Sequence, residues 1–441
     1  MTLTCIILAA GKGTRMKSAL PKPMHTIAGR PMIAHSLAAA QALKPDKLLV
    51  LVGPDMAMMS DYVAAHAQTA IQAEAKGTGH AVQCAVEALG QLSGDVLVLF
   101  GDTPLVTADT LRKLIERRKA GDNPAVVVSG MRPPSPTGYG RLLVEGGTLF
   151  GIVEEREASE AQRAIDLCNG GIMLFDGQLL SKLLAGLNNN NAKGEYYLTD
   201  VISIARHAGH ACAFVEIPFE EVMGVNSRAE QAAVELVMQK RLRAAAMAAG
   251  VTMIDPDSIY LSWDTQFGQD VTIGPNVFFG PGVHVADDVQ IRSFSHLEGV
   301  TIDTGAIIGP FARLRPGSEI GAGVHIGNFV EIKQTQVAQG AKINHLSYIG
   351  DASVGAHANI GAGTITCNYD GFTKSRTDIG AGAFIGSNTA LVAPVKIGAQ
   401  ALVGAGSVIT SDVPADALAL ERSPQKVAPE HGMATRRKQR Q

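Results

Sequence analysis

No stretch of this chain carries the roughly 20 consecutive apolar residues of a membrane-crossing helix, and no signal-peptide pattern opens it. The sequence therefore predicts a soluble, cytoplasmic protein with no membrane partner. Cysteine is scarce: Cys5, Cys84, Cys168, Cys212 and Cys367 are all there is, at no paired or metal-like spacing. That excludes a disulfide scaffold and fits a reducing compartment. An excess of either charge is missing too. A net charge of −3 over 441 residues gives no electrostatic footprint for nucleic acid or an anionic surface. The basic cluster Arg436, Arg437, Lys438 and Arg440 reads as a solvated end. At this length one core is too few, and two domains are expected.

What the chain does have is a beat of six. Ile273, Phe279, Val285 and Ile291 stand six apart, and the beat returns from Ile302 to Ile332 and from Ile379 to Ile409. Neither a 3.6-residue helix nor a strand of period two gives this spacing, whereas hexapeptide repeats of a parallel β-helix do. Each hexad supplies a short strand with its aliphatic side chain inward, and Gly, Asn or Asp takes the turn dihedrals. Three hexads close one triangular coil, so Phe267 to Pro414 predicts about eight stacked coils.

The first half reads differently. Thr4–Ala10 is apolar on both faces of a strand and runs into Gly11-Lys12-Gly13-Thr14-Arg15. Helical and strand patterns then alternate: Met32–Leu43, Lys47–Val52, Gly79–Leu89, Val96–Phe100, Thr110–Ala120 and Ala125–Ser129. Such alternation predicts a parallel α/β sheet with ligands at the carboxyl ends of its strands. In the glycine turn, backbone N–H groups can approach phosphate oxygens while Lys12 and Arg15 add charge, although a plain tight turn would look the same. It is neither a Walker loop nor a dinucleotide fingerprint. Lys22 is held between Pro21 and Pro23. The apolar run Val96–Phe100 delivers Asp102 to the rim, where oxygen ligands for Mg²⁺ are expected; a turn-capping Asp is the alternative.

Leu8-Ala9-Ala10-Gly11-Lys12-Gly13-Thr14-Arg15-Met16, Pro21-Lys22-Pro23 and Gly101-Asp102 resemble the sugar-1-phosphate nucleotidyltransferases. Gln72-Ala73-Glu74, Gly77-Thr78-Gly79-His80-Ala81, Thr137–Arg141 and Gly194–Asp200 narrow the likeness. Nearly the whole chain resembles the bacterial bifunctional N-acetylglucosamine-1-phosphate uridyltransferase/glucosamine-1-phosphate acetyltransferases. That resemblance implies a Rossmann-like mixed-sheet nucleotidyltransferase domain followed by a left-handed β-helix. It implies that Leu8, Ala9, Ala10, Gly11, Lys22, Gln72, Gly77, Thr78, Phe100, Gly101 and Asp102 hold the uridine nucleotide. Gly140, Glu154, Asn169 and Asn226 lie around the sugar, and Asp102 and Asn226 carry Mg²⁺. Arg15 and Lys22 would neutralise charge as a sugar phosphate attacks the α-phosphorus of UTP. Phe100 stands where the family more often has tyrosine, and Gly170 where threonine is common.

Between the halves, about Ser227 to Ala249 is helix-forming throughout, with Asn226-Ser227 as N-cap and Gly250 as stop. The expected division is a uridyltransferase domain over 1–226, a linker helix over 227–250 and an acetyltransferase domain over 251–441. In the last of these, the segment from Gly363 to Phe372 is too long for a hexad corner and should project as a loop. Arg315 and Lys333, eighteen apart, should stack on adjacent coils, where two cations need an anion such as a sugar phosphate, or open solvent. The family likeness makes His345 the general base toward the glucosamine amine. It assigns Arg315, Lys333, Tyr348 and Asn359 to glucosamine-1-phosphate, and Ala362, Asn368, Tyr369, Lys374, Ser387, Ala405 and Arg422 to acetyl-CoA. Cys367 has no activating base at obvious spacing and reads as non-catalytic. A homotrimer is expected, because flat β-helix faces favour side-by-side packing. Two alternatives remain: a nucleotidyltransferase whose β-helix only oligomerises, and a scaffold without catalysis.

Overall fold

The computed structural model describes residues 2–429, so the basic cluster at Arg436 to Arg440 lies outside the described residues. The chain forms two compact units, Met1–Gln239 and Lys240–Gln441.

The first unit is built on a nine-stranded sheet. Along its main path the order is Cys212–Glu216, Val126–Met131, Cys168–Asp176, Asp95–Phe100, Leu3–Leu8, Lys47–Val52 and Gln68–Ile71. The alternation seen in the sequence gives parallel neighbours throughout this path except at Cys168–Asp176, which runs antiparallel to both strands beside it. The sheet is therefore mixed, as the family resemblance implies, where the alternation by itself suggests a parallel one. The physical reason is local: Cys168–Asp176 is reached through the hairpin Arg141–Glu145/Thr148–Val153, not through a helical crossover, so nothing returns the chain to the parallel direction. Leu8 pairs with Phe100. Both strands thus end side by side, and Ala9–Gly11 and Gly101-Asp102 leave the sheet at one rim.

The connecting helix spans Arg228–Ala248. Ser227 Oγ accepts from Glu230 N at 3.3 Å, while Glu230 Oε2 accepts from Asn226 N at 2.7 Å, so a reciprocal cap fixes its start. Its early residue Val234 packs with Met16, Ile27, Met32, Leu105 and Val225 in the first unit. Its later residues Leu242 and Ala246 pack against the core of the second. The two compact units meet inside this helix, after Gln239.

The second unit is a parallel β-helix. One ladder of ten strands runs from Thr252–Met253 to Leu418–Ala419, extending the tract beyond Phe267–Pro414 at both ends. The beat residues are the core: Ile273, Ile291, Ile308, Leu314, Ile326, Ile332 and Ile385 are all at or below 1% exposure. Coil length varies. Leu314 pairs with Ile332, eighteen on, whereas Ile326 pairs with Ile343, seventeen on, and Ile360 with Ile385, twenty-five on. The longest coil holds the predicted excursion. Ile365–Cys367 stays in the ladder, so the projecting part begins at Asn368 and not at Gly363.

Two candidate active sites

In the first unit a cavity of about 240 Å³ opens at the rim where Leu8 and Phe100 end. Leu8, Ala9, Ala10, Gly11, Lys22, Gln72, Gly77, Thr78, Phe100 and Asp102 all line it, joined by Glu195. Gly77 has φ +105, and a Cβ there would lie 2.6 Å from the Tyr196 carbonyl oxygen, so only glycine fits this wall. Gln72 is buried and donates Nε2–H to the Gly77 carbonyl at 3.3 Å. Gly101 N–H bonds the Leu8 carbonyl at 3.0 Å, which ties the two strand ends together.

The charged centre is Lys22. Its ammonium makes a tight salt bridge with Asp102 Oδ2 and donates to Asn226 Oδ1 at 3.0 Å. Asp102 and Asn226 come from positions 124 apart, yet their oxygens converge on one cation. One carboxylate and one amide oxygen match Mg²⁺, which keeps waters and takes substrate phosphates as further ligands. Among the described residues no group of three or more His, Cys, Asp or Glu could hold a metal by itself. Gly140, Glu154 and Asn169 form a second group: Asn169 N–H bonds the Gly140 carbonyl at 2.8 Å, and Glu154 Oε1 accepts from Thr199 Oγ1 at 3.3 Å. They do not line the 240 Å³ cavity, but the Phe100 ring that does lies 3.2 Å from where a Cβ on Gly171 would stand. Burial raises the Glu154 carboxyl above its ordinary range. Arg15 is exposed on the short turn Thr14–Met16 and does not reach the cavity lining.

In the second unit the site is spread over one face of the β-helix and the corners that bound it. Arg313–Leu314, Glu331–Lys333 and Tyr348–Gly350 stack in register on that face. Arg315 lies above Lys333, as the eighteen-residue spacing predicts. Their charge is met from within the protein, however: Arg315 pairs with Glu331 at 2.9 Å, and Lys333 with Asp351 at 3.3 Å. Asp351 also takes a short hydrogen bond from Asn368 Nδ2, which reaches Tyr348 Oη at 3.4 Å. Gly350 has no room for a side chain, since a Cβ would stand 2.4 Å from the Tyr348 hydroxyl.

His345 ends the strand Lys342–His345 of the ten-stranded ladder, exposed, with Nδ1 2.7 Å from Asn328 Oδ1. Lys342 pairs with Asn359 and Phe384 with Leu402, so the register carried on sets His345, Ala362, Ser387 and Ala405 along one corner. Arg422 Nη1 donates to the Ala405 carbonyl at 2.8 Å and continues the line. Asn359 belongs to the ladder across that corner, not to the face carrying Arg315 and Lys333. Tyr369 and Lys374 face each other across the projecting turn. One chain thus brings together Arg315, Lys333, Tyr348 and Asn368, and separately His345, Ala362, Ser387, Ala405 and Arg422.

Residues 5–170 match the MobA-like NTP transferase domain, and residues 299–334 and 376–411 match the bacterial transferase hexapeptide repeats. The bifunctional protein GlmU of Paramagnetospirillum magneticum is 57% identical over 423 residues, covering 96% of this chain and 94% of that protein. Its counterpart in Rhodospirillum rubrum is 57% identical over 430 residues, covering 97% and 96%. That of Azorhizobium caulinodans is 52% identical over 429 residues, covering 97% and 95%. The chain belongs to the GlmU family.

Within this GlmU-family chain, several residues at the sites were given no role of their own by the sequence. Arg141 is 2% exposed, pairs with Glu155 at 2.6 Å and donates to the carbonyls of Tyr139, Ile165 and Arg163. It pins the segment that carries Glu154. Asp351, Glu331 and Asn328 likewise touch the predicted residues, and only the coil register brings them there. The neighbouring Lys333 pushes Lys374 below its ordinary range.

Proposed function

We propose that this protein makes UDP-N-acetylglucosamine in two steps on two sites. In the second unit, acetyl passes from acetyl-CoA to the amine of glucosamine-1-phosphate. In the first, UTP and the N-acetylated sugar phosphate give UDP-N-acetylglucosamine and pyrophosphate. The observation that carries this reading is end-to-end likeness to proteins named as bifunctional, with a polar site built in each unit.

For acetyl transfer, Arg315 and Lys333 hold the sugar phosphate, and Tyr348 and Asn359 bind the sugar. His345 Nε2 takes a proton from the amine as nitrogen attacks the thioester carbonyl, and CoA leaves as the thiolate. Asn368, Tyr369, Lys374, Ala362, Ser387, Ala405 and Arg422 border the acetyl-CoA groove. For uridylyl transfer, the Leu8–Gly11 backbone, Gln72, Gly77 and Thr78 take the nucleotide, while Gly140, Glu154 and Asn169 take the sugar. Asp102 and Asn226 would hold Mg²⁺, which when bound neutralises phosphate charge. Lys22 at the cavity wall and Arg15 on the turn Thr14–Met16 would stabilise the charge developing on the phosphates.

Because one chain leaves Asn359 and the Ala362–Arg422 corner apart from the sugar-phosphate face, the second site is completed by neighbouring copies in a homotrimer. Exposed rings support this assembly. Phe294, Phe311 and Phe329 stack at 4.9 and 5.1 Å along a corner, each with left-handed φ and 44–53% exposed, and Leu346 follows at 63%. Aromatics are 5% of the chain, so such a row in water marks a contact surface. Light scattering is expected to give three chains; a monomer with full acetyl transfer contradicts the shared site. The test of the function is two assays on one preparation: free CoA thiol from acetyl-CoA with glucosamine-1-phosphate, and pyrophosphate from UTP with the acetylated sugar. Pyrophosphate without thiol favours a β-helix that only oligomerises.

A further inference from the structure

We infer that Asn328 is a positioning residue that sets the tautomer of His345; this rests on the reading of His345 as the base. A neutral imidazole offers one N–H and one lone pair, and the hydrogen bond made at one nitrogen decides which atom is free to accept a proton. Asn328 Oδ1 can only accept, and it lies 2.7 Å from His345 Nδ1. Nδ1 therefore carries the proton, and the lone pair is left on Nε2, away from the coil.

The bond is built into the fold. Asn328 and His345 are register partners on adjacent coils of a parallel ladder. The backbone at Leu346 donates to the Asn328 carbonyl at 3.0 Å, and Gly363 to the His345 carbonyl at 3.2 Å, so both residues are fixed by the ladder. A Cβ at Gly327 would overlap the Asn344 carbonyl, so the two coils approach closely at this level. A neutral amide in this role orients the ring without adding charge. A carboxylate there would stabilise the imidazolium and hold the base protonated at neutral pH. The titratable groups near the pair include His325, Lys342 and Arg292, and the register partners Glu331 and Tyr348 open the strands that follow Asn328 and His345; burial first, then Arg292, Lys342 and His345, push His325 down.

Three variants test the assignment. In ¹⁵N-histidine-labelled protein, with His345→Ala locating the signal, His345 is expected as the Nδ1–H tautomer, and Asn328→Leu as a mixture. Asn328→Leu should lower kcat for acetyl transfer by roughly tenfold to a hundredfold with KM little changed. Asn328→Asp, which keeps the acceptor oxygen, should move the acid limb of the kcat profile to higher pH by about one unit. An Nε2–H tautomer in the native protein, or an unmoved acid limb in Asn328→Asp, overturns the assignment. Full activity in His345→Ala overturns the reading of the base instead, while the tautomer signal still judges Asn328. Should Asn328→Leu fail to fold, Asn328→Asp and the native spectrum decide alone.

Discussion

At the scale of single residues, each site hangs on one group that a neighbour cannot replace. Asp102 shares the Lys22 ammonium with Asn226, and among the described residues no cluster of three acidic or imidazole ligands stands by to substitute. Asp102→Ala should therefore drop pyrophosphate release by at least about a hundredfold, the scale of losing a metal-held charge at a phosphoryl centre. Acetyl transfer, housed in the other unit, should be unchanged; equal loss of both activities would show that the sites are not independent. His345 is the corresponding residue in the β-helix. His345→Ala should cost acetyl transfer on the order of a hundredfold or more, with glucosamine-1-phosphate KM nearly kept because Arg315 and Lys333 stay in place. The acid limb of the kcat profile should vanish with it. A variant that acetylates at the native rate makes His345 structural.

At the scale of elements, the projecting turn from Asn368 to Arg376 is rigid where a long loop need not be. Asp370 accepts from Thr373 N at 2.7 Å, Phe372 N at 2.8 Å and Thr373 Oγ1 at 2.8 Å. These bonds, led by Thr373 N–H, hold its carboxyl down at about 2, below the ordinary 3.8. A depressed carboxyl stabilises the folded turn fully above about pH 4 and loses that effect as pH falls toward 2. Asp370→Ala should thus behave at pH 7 as the native turn does only in strong acid. Protease cutting beside the exposed Phe372 should increase, and KM for acetyl-CoA should rise roughly tenfold as Asn368, Tyr369 and Lys374 lose their frame. An unchanged KM would separate this turn from the cofactor. The beat that announced the coils was legible because every sixth side chain is inward and aliphatic. The partners of the site residues were not, because coil length changes unseen. Eighteen back from His345 is Gly327, but the coil there has seventeen residues and sets Asn328 opposite the imidazole. Asp351 was hidden in the same way, since its meaning comes from Lys333 and Asn368 and from nothing near it in sequence. In the first unit apolar runs gave burial and spacing but no direction, so the antiparallel Cys168–Asp176 strand could not be read.

At the scale of the whole molecule, the question is where two activities can be cut apart. Composition places a boundary at 226, where the globular pattern stops and the helix begins. The packing places it later. Val234, Val237 and Met238 close a small core with Met16, Ile27, Met32, Leu105 and Val225, and Glu235 accepts the Ala28 backbone N–H at 2.8 Å. Glu230 holds the Asn226 backbone, and Asn226 is one of the two oxygens gathered on Lys22. A chain ending at 226 loses this support and exposes the small core, and each large apolar side chain removed costs about 2–5 kcal/mol. A chain carried to 249 keeps the helix whole. Residues 1–249 should therefore release pyrophosphate at a rate near that of the full protein and melt in one cooperative transition. Residues 1–226 should melt much lower and lose most of the activity at 37 °C, with Mg²⁺ dependence weakened because Asn226 is no longer fixed. Equal stability and equal activity of the two fragments would mean that the first half of the helix is a linker after all, and that the contacts of Val234 and Glu230 contribute nothing to the uridylyl site.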